Sequence, residues 1–197
     1  MPDFLPDIEG DDGTIREAIP VLPVSADGRT GVVTLVSELD AAVAEGRAYS
    51  ASTSVQAIAT GERLKARLSN PSGSGKRLKV TQRFFSNDRQ GDDAMLRRGL
   101  IVQPSAIAGA TEVSANNLLP GAATSEARFA FATDAATLGA SVVENLMPLN
   151  GGTERVDVPR YVLPGDSFAY EIEGAGDGTV QSPAAAAIAF VWIEEDL

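Results

Sequence analysis

The 197-residue chain contains neither cysteine nor histidine. Without cysteine it forms no disulfide, no thiolate zinc site and no cysteine nucleophile. Without histidine it lacks the usual general base, the Ser-His dyad and the commonest metal ligand. No apolar run approaches the roughly 18 residues of a membrane span, and the acidic start MPDFLPDIEG has no signal-peptide pattern. These absences exclude much enzyme chemistry, and we expect a soluble chain without a membrane span.

Lysine is scarce, because only three of the 16 basic residues are lysines, and the formal net charge is −11. An acidic surface with few lysines is typical of halophilic proteins, since salt screens the self-repulsion of the carboxylates. A GC-rich genome, which favours arginine over lysine, explains the same composition, so both interpretations stay open. Residues 1–62 contain eleven acidic and three basic side chains. Residues 63–98 contain three acidic and ten basic side chains, and residues 99–197 contain thirteen acidic and three basic ones. A basic segment therefore lies between two acidic ones.

The segment NPSGSGK at residues 70–76 has the glycines and lysine of a phosphate-binding loop. That loop requires G-x-x-x-x-G-K-[ST] followed by a helix. Asn70 stands at the first glycine position and Arg77 at the hydroxyl position, and the segment that follows has the periodicity of a strand. Asn, Pro, Ser and Gly supply turn geometry between strands. We therefore predict a hairpin or another strand-connecting loop.

Period-two alternation of apolar and polar residues dominates the chain and predicts strands. The candidate windows are residues 48–58, 62–69, 77–85, 95–103, 127–133, 154–163, 167–173 and 185–195. Pro164-Gly165-Asp166 is a predicted turn, and the long small-residue stretch at 104–126 contains no strand candidate. Many short antiparallel strands with turn signals indicate an all-β, jelly-roll-like antiparallel β-sandwich.

One short helix and an extended arm complete the predicted architecture. SELDAAVAEG has Ser37 as N-cap, Asp40 at the capping-box position and Gly46 as the C-terminal stop. Residues 1–25 contain four prolines, which disfavour helices and central strands, and they are predicted to form an extended N-terminal arm, either free or docked on a neighbouring subunit. Residues 26–197 are predicted to form a single β-sandwich domain.

Basic residues alternate with apolar ones in two of the predicted strands. Leu64, Ala66 and Leu68 share one face of the first, and Leu78, Val80 and Phe84 share one face of the second. The opposite faces carry what we term the basic stripe: Arg63, Lys65, Arg67, Arg77, Lys79 and Arg83. Like charges directly opposite each other on paired strands are destabilising. The strands therefore diverge, or acidic groups from the same chain, a neighbouring copy or an anionic partner lie between them.

The basic stripe and Trp192 are the candidate subunit-interface residues. Trp192 lies in the last predicted strand, where a core or interface position is expected rather than a ligand contact. Nucleic acid is not an expected partner, because the chain is acidic and has no aromatic stacking platform near the stripe.

Acidic clusters are the remaining candidates for chemistry. Carboxylates at 7, 9, 11 and 12 could hold a hard cation, but they lack the glycine and terminal glutamate of a calcium loop. A solvated acidic arm is the preferred interpretation, and Asp88, Asp92 and Asp93 are judged in the same way. No pair of carboxylates stands out as a glycosidase pair. We expect no catalytic residue, metal or cofactor, and a carboxylate-based hydrolase is kept as the competing hypothesis.

Three motifs in their order along the chain resemble small β-sandwich structural proteins of tailed viruses of bacteria and archaea. They are the NPSGSGK loop, preceded by A-R-L and followed by a basic strand, the LPGDSFAYEIE hairpin, and a closing strand that ends in Trp-Ile-Glu-Glu. PVLPVSADGRTGVV and AEGRAYSAS, upstream of the loop, extend the resemblance to about half of the chain. Proteins of this kind decorate capsids, form turrets or fibres, or complete tail tips, and they assemble as symmetric oligomers without catalytic residues.

The resemblance implies a virion structural protein, with a capsid-surface, decoration or turret subunit as the first expectation. A tail or fibre component that binds a host receptor or glycan is the alternative. A homo-oligomer is expected, with a trimer as the first hypothesis and a pentamer or hexamer left open. Other virion proteins, such as the major capsid protein, would be its partners.

Overall fold

The computed structural model describes residues 37–59, 61–88, 96–146, 152–174 and 184–197. All of them belong to one compact unit, Ser37–Leu197. The predicted arm at residues 1–25, with its acidic cluster, lies outside the described residues, as do Asp92 and Asp93. The predicted domain boundary at residue 26 also lies outside them.

The predicted helix is present as α1, Glu38–Ala44. The Ser37 side chain accepts a hydrogen bond from the Asp40 backbone N–H at 3.1 Å and donates one to the Asp40 carboxylate at 2.6 Å. At the other end Gly46 has φ +70°, a conformation that glycine adopts without steric cost. Both ends of the helix are therefore where the capping residues predicted them.

The described residues form thirteen strands. They are β1 (Ala48–Ser52), β2 (Gln56–Ile58), β3 (Arg63–Ser69), β4 (Lys76–Asp88), β5 (Leu96–Val102), β6 (Thr111–Val113), β7 (Asn116–Asn117), β8 (Arg128–Asp134), β9 (Val143–Leu146), β10 (Gly152–Val156), β11 (Arg160–Val162), β12 (Ser167–Gly174) and β13 (Ala184–Asp196). Each of the eight predicted windows contains a strand. Two windows contain two strands each, because Ser54 adopts a positive φ between β1 and β2 and Pro159 cannot donate to a ladder between β10 and β11.

The strands form two antiparallel sheets. The seven-stranded sheet has the order β10-β4-β13-β1-β7, with β11 also paired to β4 and β2 also paired to β13. The six-stranded sheet has the order β6-β8-β3-β12-β5-β9. The prediction of an all-β antiparallel sandwich with one short helix is confirmed for the described residues. The stretch at 104–126 contained no strand candidate, but it contributes β6 and β7, and β9 was not predicted either.

The NPSGSGK segment connects the two sheets. It follows β3 of the six-stranded sheet and precedes β4 of the seven-stranded sheet, so it is a strand-connecting loop and not a hairpin. The divergence of the two basic strands, which was one of the expectations, is thereby observed. The Pro164-Gly165-Asp166 turn likewise carries the chain from one sheet to the other. The prediction of a hairpin at LPGDSFAYEIE is therefore wrong, because β11 and β12 pair with different strands.

One hydrophobic core lies between the sheets. The six-stranded sheet contributes Leu64, Leu68, Phe129, Phe168 and Ile172, and the seven-stranded sheet contributes Leu78, Phe85, Ile188, Phe190 and Trp192. Phe190 packs against Phe129 and Phe168 across the sandwich, with ring centroids 5.5 and 5.2 Å apart. Burial of these large apolar side chains is the main favourable contribution to folding.

A β-bulge in β4 reverses the predicted faces of its second half. Trp192 pairs with Val80 and Val191 with Gln82, so Thr81 has no register partner on β13, although its hydroxyl donates to the Val191 carbonyl at 3.3 Å. An extra residue in a strand moves every later side chain to the other face. The prediction of Phe84 on the core face and Arg83 on the polar face is therefore wrong, because Arg83 and Phe85 are the buried residues of this segment.

Smaller apolar clusters cover parts of the outer faces. Ile107 and Leu138 pack on Ile101 and Ala169 of the six-stranded sheet. On the seven-stranded sheet, Ala42 of α1 packs on Ala48 and Ile193, with Leu39 and Val43 beside them. Within the described ranges no helix is long and apolar enough to cross a membrane.

Candidate functional site

The basic stripe is divided among three places in the structure. Side chains at positions 63, 65 and 67 of β3 lie on the outer face of the six-stranded sheet, opposite the buried face formed by Leu64, Ala66 and Leu68. Those of Arg77 and Lys79 belong to the seven-stranded sheet, and Arg83 points into the sandwich. The six residues therefore do not form one continuous surface.

Arg63 and Lys65 have acidic partners within the same chain. Arg63 pairs with Glu173 on the adjacent strand β12, and the buried Lys65 ammonium pairs with Asp134 of β8 and donates to the Ala136 carbonyl at 3.0 Å. The hydrogen bond from Lys65 holds the pKa of Asp134 below its ordinary value. Acidic strands of the same fold thus lie beside this part of the stripe.

Glu171 is buried beneath the loop that follows β8. It accepts hydrogen bonds from the Leu138 backbone N–H and from the Thr137 hydroxyl at 3.1 Å, and Arg63 approaches it to 3.8 Å. A buried carboxylate requires such donors because desolvation would otherwise be costly. Sequence reasoning missed Glu171, although its position on the polar face of β12, beside Arg63 and Lys65 of the adjacent strand, was a usable signal.

Arg77 and Lys79 lie beside an exposed tyrosine. Arg77 donates two hydrogen bonds to Glu195 at 2.8 and 2.5 Å, and its guanidinium lies 4.9 Å from the centroid of the Tyr161 ring. Lys79 donates to Glu38 at 2.5 Å, and this hydrogen bond raises the lysine pKa. The Tyr161 side chain remains 52% exposed. Arg77 and Lys79 are thus the part of the basic stripe that lies beside an exposed aromatic side chain.

The interior of the sandwich contains arginines that bridge the two sheets. Arg83 donates to the Tyr170 hydroxyl at 3.2 Å and to the Val158 carbonyl at 2.6 Å. Arg98 donates to Glu154 at 2.8 Å and stacks 4.1 Å from the centroid of the Phe85 ring. Burial lowers the pKa of Arg83 from its ordinary value.

Arg98 was missed as a site residue, although the sequence contained a signal for it. It lies two residues before the core residue Leu100 in β5, and alternate residues of a strand share a face.

Trp192 is fully buried in the core. It stacks on Tyr49 with the ring centroids 6.1 Å apart, and its indole N–H has no hydrogen-bond partner among the described residues. The interface assignment of the seven candidate residues stays a prediction. Of the seven, Trp192, Lys65 and Arg83 have side chains that the chain itself buries.

The three motifs of the sequence resemblance meet at one end of the sandwich, which we term the loop end. Asn70 of NPSGSGK donates from its backbone N–H to the Asp166 carbonyl at 3.0 Å and accepts from the Gly165 N–H at 2.8 Å. Its buried amide donates to the carbonyls of Lys76 at 2.8 Å and Val162 at 3.0 Å. The closing strand arrives here as well, since the Leu197 N–H donates to the Gly75 carbonyl at 3.2 Å.

An open cavity of about 420 Å³ lies at the loop end, and we term it the arginine cavity. Its polar lining includes Arg67, Ser69, Ser72, Arg128 and Asp166. Arg67 is half-buried and Arg128 is exposed. Arg67 was among the predicted candidates, while Arg128 was not.

No metal-binding group of three or more Asp or Glu side chains is present among the described residues. No protein-family model matches the sequence, and comparison with curated proteins finds no relative either.

Proposed function

We propose that this chain is a non-enzymatic structural protein of a tailed virus, most directly a subunit that decorates the capsid surface or forms a turret. The observation that supports the proposal is the meeting of three motifs at the loop end. They are far apart in sequence, yet the buried Asn70 of the first motif hydrogen-bonds to Gly165 and Asp166 of the second, and Gly75 of the first accepts from Leu197, two residues after the third. Residues that resemble those of virion sandwich proteins thus cooperate in one structural unit.

The way in which buried carboxylates are used favours a structural role over a carboxylate-based hydrolase. Glu171 holds the loop at Thr137 and Leu138. Glu194 accepts from the Ser125 hydroxyl at 2.5 Å and the Glu126 N–H at 3.0 Å, and so fixes the segment before β8. Both carboxylates anchor loops. Glycan turnover that is lost in a single Glu or Asp variant would instead establish the hydrolase.

An exposed apolar patch offers a contact surface for assembly. Val158, Tyr161 and Leu163 are 68%, 52% and 48% exposed and lie in β11 or within two residues of it, and the Arg77 guanidinium lies over the Tyr161 ring. Interfaces are enriched in aromatic residues and arginine relative to the rest of the surface. In our proposal this patch, with the exposed part of the basic stripe, contacts a second copy or another virion protein.

Mass measurement by light scattering tests the assembly. The purified chain is expected to form a discrete oligomer, with a trimer as the first hypothesis, at about 0.15 M salt, at multimolar salt or at both. A Tyr161→Ser, Leu163→Ser variant should lower the mass at a given concentration. Val55→Ser is the matched control, because Val55 is an exposed apolar residue in the loop between β1 and β2. A folded monomer at both salts would contradict self-assembly.

The virion assignment itself is tested on particles. The chain should be found by mass spectrometry in purified virus particles at a fixed ratio to the major capsid protein. Its absence from particles would overturn the proposal even if the purified chain is an oligomer. Saturable binding to host envelope or glycan, by a chain located in the tail, would favour the alternative of a receptor-binding tail component.

A further inference from the structure

Within the described residues, Arg67 differs from the other basic residues of β3 in having no acidic partner. Arg63 and Lys65 on the same face pair with Glu173 and Asp134. Arg67 donates one hydrogen bond from Nη2 to the Ser167 hydroxyl at 3.2 Å, and its buried Nε has no partner among the described residues. A partly desolvated guanidinium without a counter-charge is unfavourable unless an anion supplies one.

A second arginine faces the same concavity. Arg128 of β8 lies opposite Ser69 of β3, and Ala130, two residues after Arg128, lies opposite Arg67. The two arginines are therefore diagonal neighbours on one face of the sheet. No hydrogen bond or ion pair of the Arg128 guanidinium is present in the described part of the chain. Diagonal neighbours of this kind are within reach of long side chains, so the two cations repel each other until an anion lies between them.

The remaining lining of the arginine cavity is suited to a polar ligand. Ser69 and Ser72 supply hydroxyls, which can both donate and accept hydrogen bonds, and that of Ser69 donates to the Arg128 carbonyl at 3.4 Å. Asp166 is the acidic residue of the lining, and its carboxylate accepts from Gln103 at 2.5 Å and lies beyond ion-pair distance from either arginine. The lining therefore carries an excess of positive charge in a chain whose net charge is −11.

We propose that the arginine cavity binds an oxyanion, either as a free inorganic ion or as the acidic group of a small ligand such as an acidic monosaccharide. Guanidinium groups bind carboxylate, sulfate and phosphate through paired N–H donors, and the volume lies in the range of small-molecule sites. The two arginines bind the anion, and the serine hydroxyls contact the remaining polar groups. The inference does not depend on the virion role, since it concerns the isolated chain.

Backbone amide NMR of the full chain tests the site. Sodium glucuronate, sodium sulfate and neutral glucose are titrated separately at constant ionic strength in chloride. We expect glucuronate or sulfate to shift the amides of Ser69, Ser72 and Arg128 saturably, while glucose has no effect. Glucuronate binding tighter than sulfate would assign the site to an acidic sugar, and the reverse would assign it to an inorganic oxyanion.

Two arginine variants test the site directly, and a third arginine variant is the control. Arg67→Gln and Arg128→Gln should each weaken binding about tenfold or more, because each removes a charged hydrogen-bond donor. Arg155→Gln, at an exposed arginine of β10 that pairs with Asp157, should leave binding unchanged. Arg128 is exposed, so its variant remains informative if Arg67→Gln perturbs folding. Absence of saturable shifts with both anions, or equal binding by all three variants, would overturn the proposal, whatever the oligomer mass.

Discussion

At the scale of single residues, a buried asparagine determines how the loop end is built. Asn70 is 1% exposed, and its amide donates two hydrogen bonds to carbonyls while its Oδ1 accepts from the Ser74 hydroxyl at 2.7 Å. Buried polar atoms need such partners, and a removed partner leaves the others unsatisfied. The residue that breaks the phosphate-loop pattern in the sequence is thus the one that organises the loop.

We predict that Asn70→Ala lowers the free energy of unfolding by about 2 to 4 kcal/mol, because it leaves two carbonyls and a hydroxyl without their partner. Chemical denaturation followed by tryptophan fluorescence measures the change. Ser72→Ala, in the exposed part of the same loop, is the control and should change stability by less than about 0.5 kcal/mol. Equal effects of the two variants would contradict the role assigned to Asn70.

The Lys65–Asp134 pair predicts a defined pH dependence. The pKa of Asp134 is lowered in the folded chain by the hydrogen bond from Lys65. A depressed folded pKa stabilises the protein above the unfolded pKa, and the contribution is lost as the pH falls through the folded value.

Asp134→Asn should therefore be less stable than the parent chain at pH 6. The difference in stability should shrink once the pH falls below 3.8, the ordinary pKa of aspartate. Urea unfolding of both chains between pH 6 and pH 2 measures this difference. Asp157→Asn, at an exposed carboxylate, is the control. A difference that stays constant over the whole range would contradict the ion pair.

At the scale of elements, the bulge in β4 decides which of two adjacent phenylalanines is in the core. Phe85 is fully buried and packs edge-to-face on Tyr170 with the ring centroids 4.8 Å apart, whereas Phe84 is half-buried on the other face. Period-two reasoning from Leu78 and Val80 placed Phe84 inside. It failed because nothing in RLKVTQRFF marks Thr81 as an extra residue.

We predict that Phe85→Ala costs about 3 to 5 kcal/mol of stability through lost burial and the cavity left behind. Phe84→Ala should cost less than about half of that, because less of its surface is removed from water in the folded state. Urea unfolding of the two variants under the same conditions gives the comparison. A larger loss for Phe84→Ala would show that β4 has no bulge at Thr81.

The helix and the turns are the elements that local sequence predicted best. Ser37 and Gly46 lie at the two ends of α1 as expected, since capping depends on residues within one turn of the helix end. Pro164-Gly165 forms the predicted turn, with the Asp166 N–H donating to the Leu163 carbonyl at 2.9 Å and Gly165 at φ +88°. The short strands β6, β7 and β9 were not predicted, because their pairing depends on neighbours that are distant in sequence.

At the scale of the whole molecule, the acid excess of the chain coexists with local charge pairing. Basic residues of both β3 and β4 have acidic partners, such as Glu173 for Arg63 and Glu195 for Arg77. Such pairs at a surface contribute little individually, while the remaining net charge repels itself at low salt. We therefore expect salt to stabilise the folded chain by screening.

The midpoint of thermal unfolding should rise when sodium chloride is increased from about 0.1 M to about 1 M, where the Debye length falls from roughly 10 to roughly 3 Å. A Glu112→Gln, Glu126→Gln variant removes two exposed carboxylates and should show a smaller rise. Calorimetry of both chains gives the comparison. A midpoint that is flat or falls with salt would contradict the halophilic interpretation and favour a GC-rich genome as the origin of the composition.

The sequence by itself determined the all-β class, the strand windows, the helix caps and the turn at Pro164-Gly165, because alternation, capping and turn geometry depend on neighbouring residues. Only the tertiary structure decided that β3 and β4 belong to different sheets, that Arg83 points inward and that Arg67 and Arg128 share a cavity. These features depend on strand register and on contacts between residues about 60 or more positions apart, and no local pattern specifies them.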